Sequence, residues 1–158
     1  MRISIFTFLA SVFLASFLMM PLITFAQDQL QPAIESRKVV GPYEILYSVV
    51  PTTFIAESVA SSYQIVRGKD QAMINVSIRK KTDAGDVAQA AVVTGSYSDL
   101  MQSKKLTFKE IREQDAIYYI AAFRHEDKDL LRFDLKVQID AQTPAQTITF
   151  TRKLFVDE

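Results

Sequence analysis

The chain has 158 residues, 18 acidic and 18 basic side chains, and 49% apolar residues. That length suits a single domain with a real core, and a net charge of zero removes any global attraction to nucleic acid or anionic lipid. Cysteine is absent, which excludes disulfides, lipid attachment at a processed cysteine, thiol catalysis and zinc–thiolate sites.

The first 26 residues, MRISIFTFLASVFLASFLMMPLITFA, carry one charged side chain, Arg2, followed by an apolar run broken only by Ser, Thr and Pro. A basic start and an apolar stretch are the layout of a secretory signal peptide. Pro21 interrupts the apolar helix shortly before Thr24-Phe25-Ala26, whose small side chains suit a signal peptidase. Cleavage is therefore expected between Ala26 and Gln27, giving a periplasmic protein that touches the membrane only transiently. The run from Ile3 to Ala26 is also about as long as the ~20 residues that span a bilayer. An uncleaved anchor holding a structural protein at the inner membrane is the alternative.

Residues 27–38, QDQLQPAIESRK, are polar and without period, and read as a flexible leader. Over 39–158 the alternation of apolar and polar residues predicts half-buried strands. The cleanest run places Leu131, Phe133, Leu135, Val137 and Ile139 on one face and Arg132, Asp134, Lys136, Gln138 and Asp140 on the other. Tyr43, Ile45, Tyr47 and Val49 alternate in the same way, as do Ala72, Ile74, Val76 and Ile78. VAQAAVVTGSYS is expected to be one strand, with Gly95 at a bulge or a close approach. KLTFKEI, AIYYIAAF and QTITFTRKLFV complete the set. Turn signals separate them: RGKD at 67–70, TDAGD at 82–86, REQD at 112–115, RHEDKD at 124–129 and DAQTPA at 140–145. The pattern predicts an all-β, antiparallel, immunoglobulin-like sandwich of about seven strands, with a small barrel as the alternative. PTTFIAESVASSYQIV departs from it, with Phe54, Ile55, Val59 and Tyr63 at helical offsets and Thr52 or Thr53 placed to cap a turn. A short helix or irregular connection is expected there.

The blocks GPYEILYSVVPTTFIAESVASSYQIVRGKDQAMINVSI, REQDAIYYIAAF and LLRFDLKV resemble the proteobacterial domain-of-unknown-function family 4426, over nearly all of the chain after the leader. The resemblance implies a small exported, mainly β protein. The family's genes often lie near methionine-biosynthesis genes, and some members carry a homoserine acetyltransferase label. That label makes a hydrolase or acyltransferase the enzymatic alternative. Such acetyltransferases use a serine nucleophile on a larger α/β-hydrolase fold, whereas this chain has no G-x-S-x-G elbow, TGSYS at 94–98 being its nearest segment. The family commonly has Asn where Pro51 stands, and it brings no established catalytic residues.

The only histidine, His125, sits among Glu126, Asp127 and Asp129. Metal binding would need a second histidine or convergent ligands from elsewhere, and a triad would need a serine and an acid from other segments. RHEDK is accordingly expected to be a solvated hairpin joining AIYYIAAF to LLRF. TDAGD and EDKD lack the spacing of a calcium loop and have the composition of turns. RKK at 79–81 and Lys104-Lys105 read as solvated surface charge that discourages sheet association. Tyr118 and Tyr119 are adjacent in a strand and must point to opposite faces. Phe54, Tyr63 and Arg67 flank the irregular connection, and an aromatic with an arginine beside a loop suits a peptide or glycan contact. No catalytic residue, metal or cofactor is assigned. The sequence reading is a non-enzymatic binding or accessory module for a protein partner in the cell envelope, with no nucleic-acid partner.

Overall fold

The computed structural model describes Ser36–Asp157. The expected signal segment, its Ala26–Gln27 cleavage point and the leader to residue 35 lie outside the described residues. Ten strands form two antiparallel sheets. The first sheet contains β1 (Ser36–Val40), β2 (Tyr43–Pro51), β3 (Gln71–Thr82), β8 (Ala116–Arg124) and β7 (Lys109–Glu113) in that order, with β4 (Gly85–Ala88) also paired to β3. The second runs β10 (Gln146–Lys153), β9 (Leu130–Gln138), β5 (Val92–Ser98) and β6 (Ser103–Leu106). A short 3-10 turn (Thr52–Phe54) and one helix, α1 (Glu57–Tyr63), lie between β2 and β3.

The two sheets stack through the side chains that alternation assigns to the core. Leu131, Phe133, Leu135, Val137 and Ile139 are all buried, as are Ile45, Val49, Ala72, Ile74, Val76 and Ile78. Each of these apart from Ala72 stabilises the fold by roughly 1.5–3 kcal/mol through burial. Aromatic rings join the sheets. Tyr97 on β5 lies 4.8 Å from Phe123 on β8, and Tyr47 on β2 lies 5.0 Å from Phe150 on β10. Phe133 sits between, stacked on Phe150 at 4.9 Å and edge-on to Phe123 at 5.4 Å. Tyr119 is buried and Tyr118 half-buried on the opposite face, as strand geometry requires.

The strand count exceeds the expected seven for identifiable reasons. VAQAAVVTGSYS and KLTFKEI each leave one sheet and enter the other, so each is two strands. Local alternation continues across such a crossing, whereas the pairing partner changes. β1 is the tenth strand. It begins at Ser36, inside the expected leader, where Ser36–Val40 pairs with Tyr43–Tyr47 and Arg37 bonds Glu44 at 3.2 Å. Gly95 does mark a close approach: a Cβ there would stand 2.8 Å from the Asp134 carbonyl oxygen and 2.8 Å from a Leu135 methyl.

Two expectations are corrected. RHEDK is no hairpin, because β8 belongs to the first sheet and β9 to the second. The segment is a corner between sheets, and His125 inside it is buried, 7% exposed, rather than solvated. Thr52 and Thr53 do not cap α1, whose N-cap is Ala56. Thr52 is fully buried and bonds the Gly68–Gln71 segment instead.

Candidate functional site

Strand registers bring four connections to one end of the sandwich. Pro51 pairs with Ala72, Gln71 with Arg124, Ser98 with Arg132 and with Ser103, and Lys153 with Leu130. The β2–β3 connection, the β5–β6 hairpin tip, the β8–β9 corner and the segment after β10 therefore share that end. Backbone hydrogen bonds tie them together. The His125 amide donates to the Asp70 carbonyl at 3.1 Å, Leu154 to Asp129 at 2.8 Å and Asp157 to Lys69 at 3.3 Å. Side chains add to this, with Val156 N–H donating to the Asp127 carboxylate at 3.2 Å and the Thr53 hydroxyl to that of Asp157. The Val156 amide holds the Asp127 carboxyl below the usual range.

Between the hairpin tip and the corner lies a cleft of about 710 Å³. Tyr97, His125 and Leu131 are its buried lining residues, and Leu100, Met101 and Leu130 its exposed apolar ones. The tip is held in shape: Asp99 Oδ1 accepts the amides of Met101 at 2.6 Å and Gln102 at 2.8 Å. Those two amides keep the Asp99 carboxyl below its ordinary range. The fixed loop presents Leu100 fully and Met101 90% to solvent. Burial, with Asp99 and Asp129 nearby, raises the Tyr97 hydroxyl above the ordinary phenol value, and the Lys104 ammonium lies 6.0 Å from its ring centre. Arg124 pairs with Asp70 at 3.3 Å and Lys128 with Asp127 at 3.4 Å. Cations and carboxylates thus alternate round the cleft without a dominant sign.

Phe54, Tyr63 and Arg67 lie on the connection beside this cleft, and none of the three lines it. Phe54 ends the 3-10 turn and is 74% exposed. Tyr63 ends α1 half-buried, and its carbonyl accepts the Lys109 ammonium at 3.1 Å. Lys109 stands opposite Ile120, so its ammonium ties the C-terminal end of α1 to that face of the first sheet. There Ile111 and Ile120 are buried apart from the main core. The Arg67 guanidinium, on an exposed residue, donates to the Thr52 and Thr53 carbonyls at 3.4 and 3.0 Å. It braces the connection.

Sequence reasoning passed over Leu100 and Met101. Their signal was legible in hindsight: two apolar residues inside the turn SDLMQS break the rule that hairpin tips are polar. TGSYS forms the C-terminal part of β5, which leads into the β5–β6 hairpin, so Ser96 is a strand residue and occupies no strand-to-helix elbow. Among the described residues no three metal-ligating side chains converge, and no helix is long and apolar enough to cross a membrane.

The family model described as a domain of unknown function, DUF4426, matches residues 37–157. A crystal structure of a DUF4426 family protein from Pseudomonas aeruginosa PAO1 is similar at 34% identity and a TM-score of 0.67. The match covers 78% of this chain and 97% of that one. No curated protein matches the sequence. With the family model spanning the whole sandwich and a solved member sharing its fold, the chain belongs to the DUF4426 family.

Proposed function

We propose that this protein is an exported periplasmic β-sandwich that serves as a non-enzymatic binding or accessory module for a protein partner in the cell envelope. One observation carries the reading. Six of the ten large apolar side chains exposed among the described residues gather at one end: Leu100, Met101 and Leu130 line the cleft, and Phe54, Val66 and Phe155 sit on the neighbouring connections. Scattered exposed apolar residues need no explanation, but their concentration round a cleft is the mark of a protein contact. The tip that carries Leu100 and Met101 is preorganised by Asp99, which lowers the ordering cost of association. Export rests on the N-terminal sequence: Arg2, the apolar run and the small residues before Gln27.

A photo-crosslinking residue placed at position 101 in cells, compared with one at Val87 on β4, tests the binding end. The expected result is a discrete adduct from position 101 alone. Equal labelling from both positions, or from neither, overturns the reading. Mass measurement of the native N-terminus tests export by cleavage. A chain starting at Gln27 is expected, and one retaining Met1 would make the protein an anchored one.

A further inference from the structure

We infer that His125 is a ligand-binding residue of the end cleft. Its Nε2 accepts an N–H from a polypeptide segment whose apolar side chain seats on Leu100, Met101 and Leu130. The inference rests on the binding-module reading above and names the chemistry its partner must present.

His125 Nδ1 lies 3.0 Å from the Glu126 carbonyl oxygen. A carbonyl only accepts, so Nδ1 carries the hydrogen, and in the neutral ring Nε2 is then an acceptor. Among the described residues Nε2 has no partner, although the residue is 7% exposed. Nor is it sealed away: the one buried side-chain polar atom without a partner among those residues is Asn75 Oδ1. Nε2 therefore opens on the cleft that His125 lines. The residue is held at two points, its amide on the Asp70 carbonyl and its ring on the Glu126 carbonyl. A fixed acceptor with no protein donor, open to the cleft, is one that a ligand N–H can take in place of solvent.

The surroundings decide what kind of ligand. Leu100 and Met101 project past the cleft into solvent, so an occupant that covers them extends beyond the cavity and is macromolecular. Of the three cations that line the cleft, Arg124 and Lys128 already hold Asp70 and Asp127 and Lys104 stands alone beside the Tyr97 ring, while Asp99 and Asp129 lie close enough to act on Tyr97. A phosphate-rich partner finds no free basic cluster there. A polypeptide offers what is missing, a backbone or side-chain N–H beside an apolar side chain.

The test uses a phage-displayed random peptide library panned on the native protein. Peptides selected on the wild type are expected to bind the His125→Asn variant about tenfold more weakly, the loss of one hydrogen bond into a desolvated site. Asn retains a donor near the Nδ1 position and loses the acceptor at Nε2. His125→Gln, whose amide reaches the Nε2 position, should recover part of the affinity. In the unmodified protein, nitrogen-15 spectra taken at a pH where the imidazole is neutral should show the hydrogen on Nδ1, and an Nε2 signal that shifts when a selected peptide is added. That measurement stands even where a variant fails to fold. Equal affinity of His125→Asn and wild type, a proton on Nε2 in the free protein, or a library without binders overturns the inference. Loss of the His125 effect with crosslinking at position 101 intact would leave the binding module standing without this residue. Loss of crosslinking would remove both.

Discussion

Thr52 and Gly68, sixteen residues apart, are joined in both directions through one buried hydroxyl. Thr52 Oγ1 accepts the Gly68 amide at 3.0 Å and faces the Gly68 and Gln71 carbonyls at 3.3 and 3.2 Å. The side chain is fully buried, so these partners have no water to replace it. The clamp closes the whole β2–β3 connection onto the start of β3, and so fixes Asp70, whose carbonyl holds His125. Stability of the fold and shape of the cleft meet at this residue.

Thr52→Val keeps the shape and removes the hydroxyl, leaving a buried amide unpaired. Unfolding stability should fall by about 1–3 kcal/mol, measured by urea titration, while Thr52→Ser should lose much less. A Thr52→Val protein as stable as wild type would show that the connection is held elsewhere.

Gly95→Ala should lower stability by about 1–3 kcal/mol through overpacking. The new Cβ would meet the Asp134 carbonyl oxygen and a Leu135 methyl at 2.8 Å and the Leu135 Cα at 3.3 Å. Two of these belong to the β9 backbone, which yields only by distorting its pairing with β5. Thermal unfolding reads the loss as a lower Tm, and Gly85→Ala separates the two effects of glycine. At Gly85 a Cβ meets nothing, but φ is +116°, so any cost there is backbone strain.

Acid should destabilise the protein in a defined window. Arg132, helped by Thr149, holds the Asp134 carboxyl below its ordinary range. The Thr143 amide does the same for Asp140, the Met101 and Gln102 amides for Asp99, and the Val156 amide for Asp127. A carboxyl depressed in the folded state contributes stability that is present above its unfolded value and lost as pH falls through the folded one. Urea midpoints should therefore be flat between neutrality and about pH 5, then decline below about pH 4, near the ordinary aspartate value. Asp140→Asn should weaken that decline, and an unchanged slope would remove Asp140 from the account.

Replacing Leu100 and Met101 together by Ser should leave stability within about 0.5 kcal/mol, because exposed side chains lose no burial. It should also abolish partner labelling from a probe at Leu130. A large drop in stability would mean these side chains pack against the protein itself.

Strand faces were legible because a strand exposes alternate residues to opposite sides. Leu131 to Ile139 needed nothing more than that period, and Gly95 announced a close approach by having no side chain. The candidate site was less legible. Phe54 and Arg67 drew notice as chemical types beside a loop. The structure leaves Phe54 exposed at that end and turns Arg67 onto the carbonyls of Thr52 and Thr53. His125 looked solvated because its neighbours are charged. It is buried because Arg124 ends a strand of one sheet and Leu130 begins a strand of the other.

The all-β class, most of the strands, the turns at TDAGD and REQD, and the identity of the core side chains are encoded locally along the chain. These follow from local periodicity and backbone preference, which neighbouring residues encode. Tertiary structure alone decided which sheet each strand joins, that two apparently continuous strands are split between sheets, and that four distant connections converge on one cleft. Those outcomes depend on pairing between residues far apart in the chain, such as Gln71 with Arg124 and Ser98 with Arg132. No local pattern carries that information, because an alternating strand has the same faces whichever strand it pairs with.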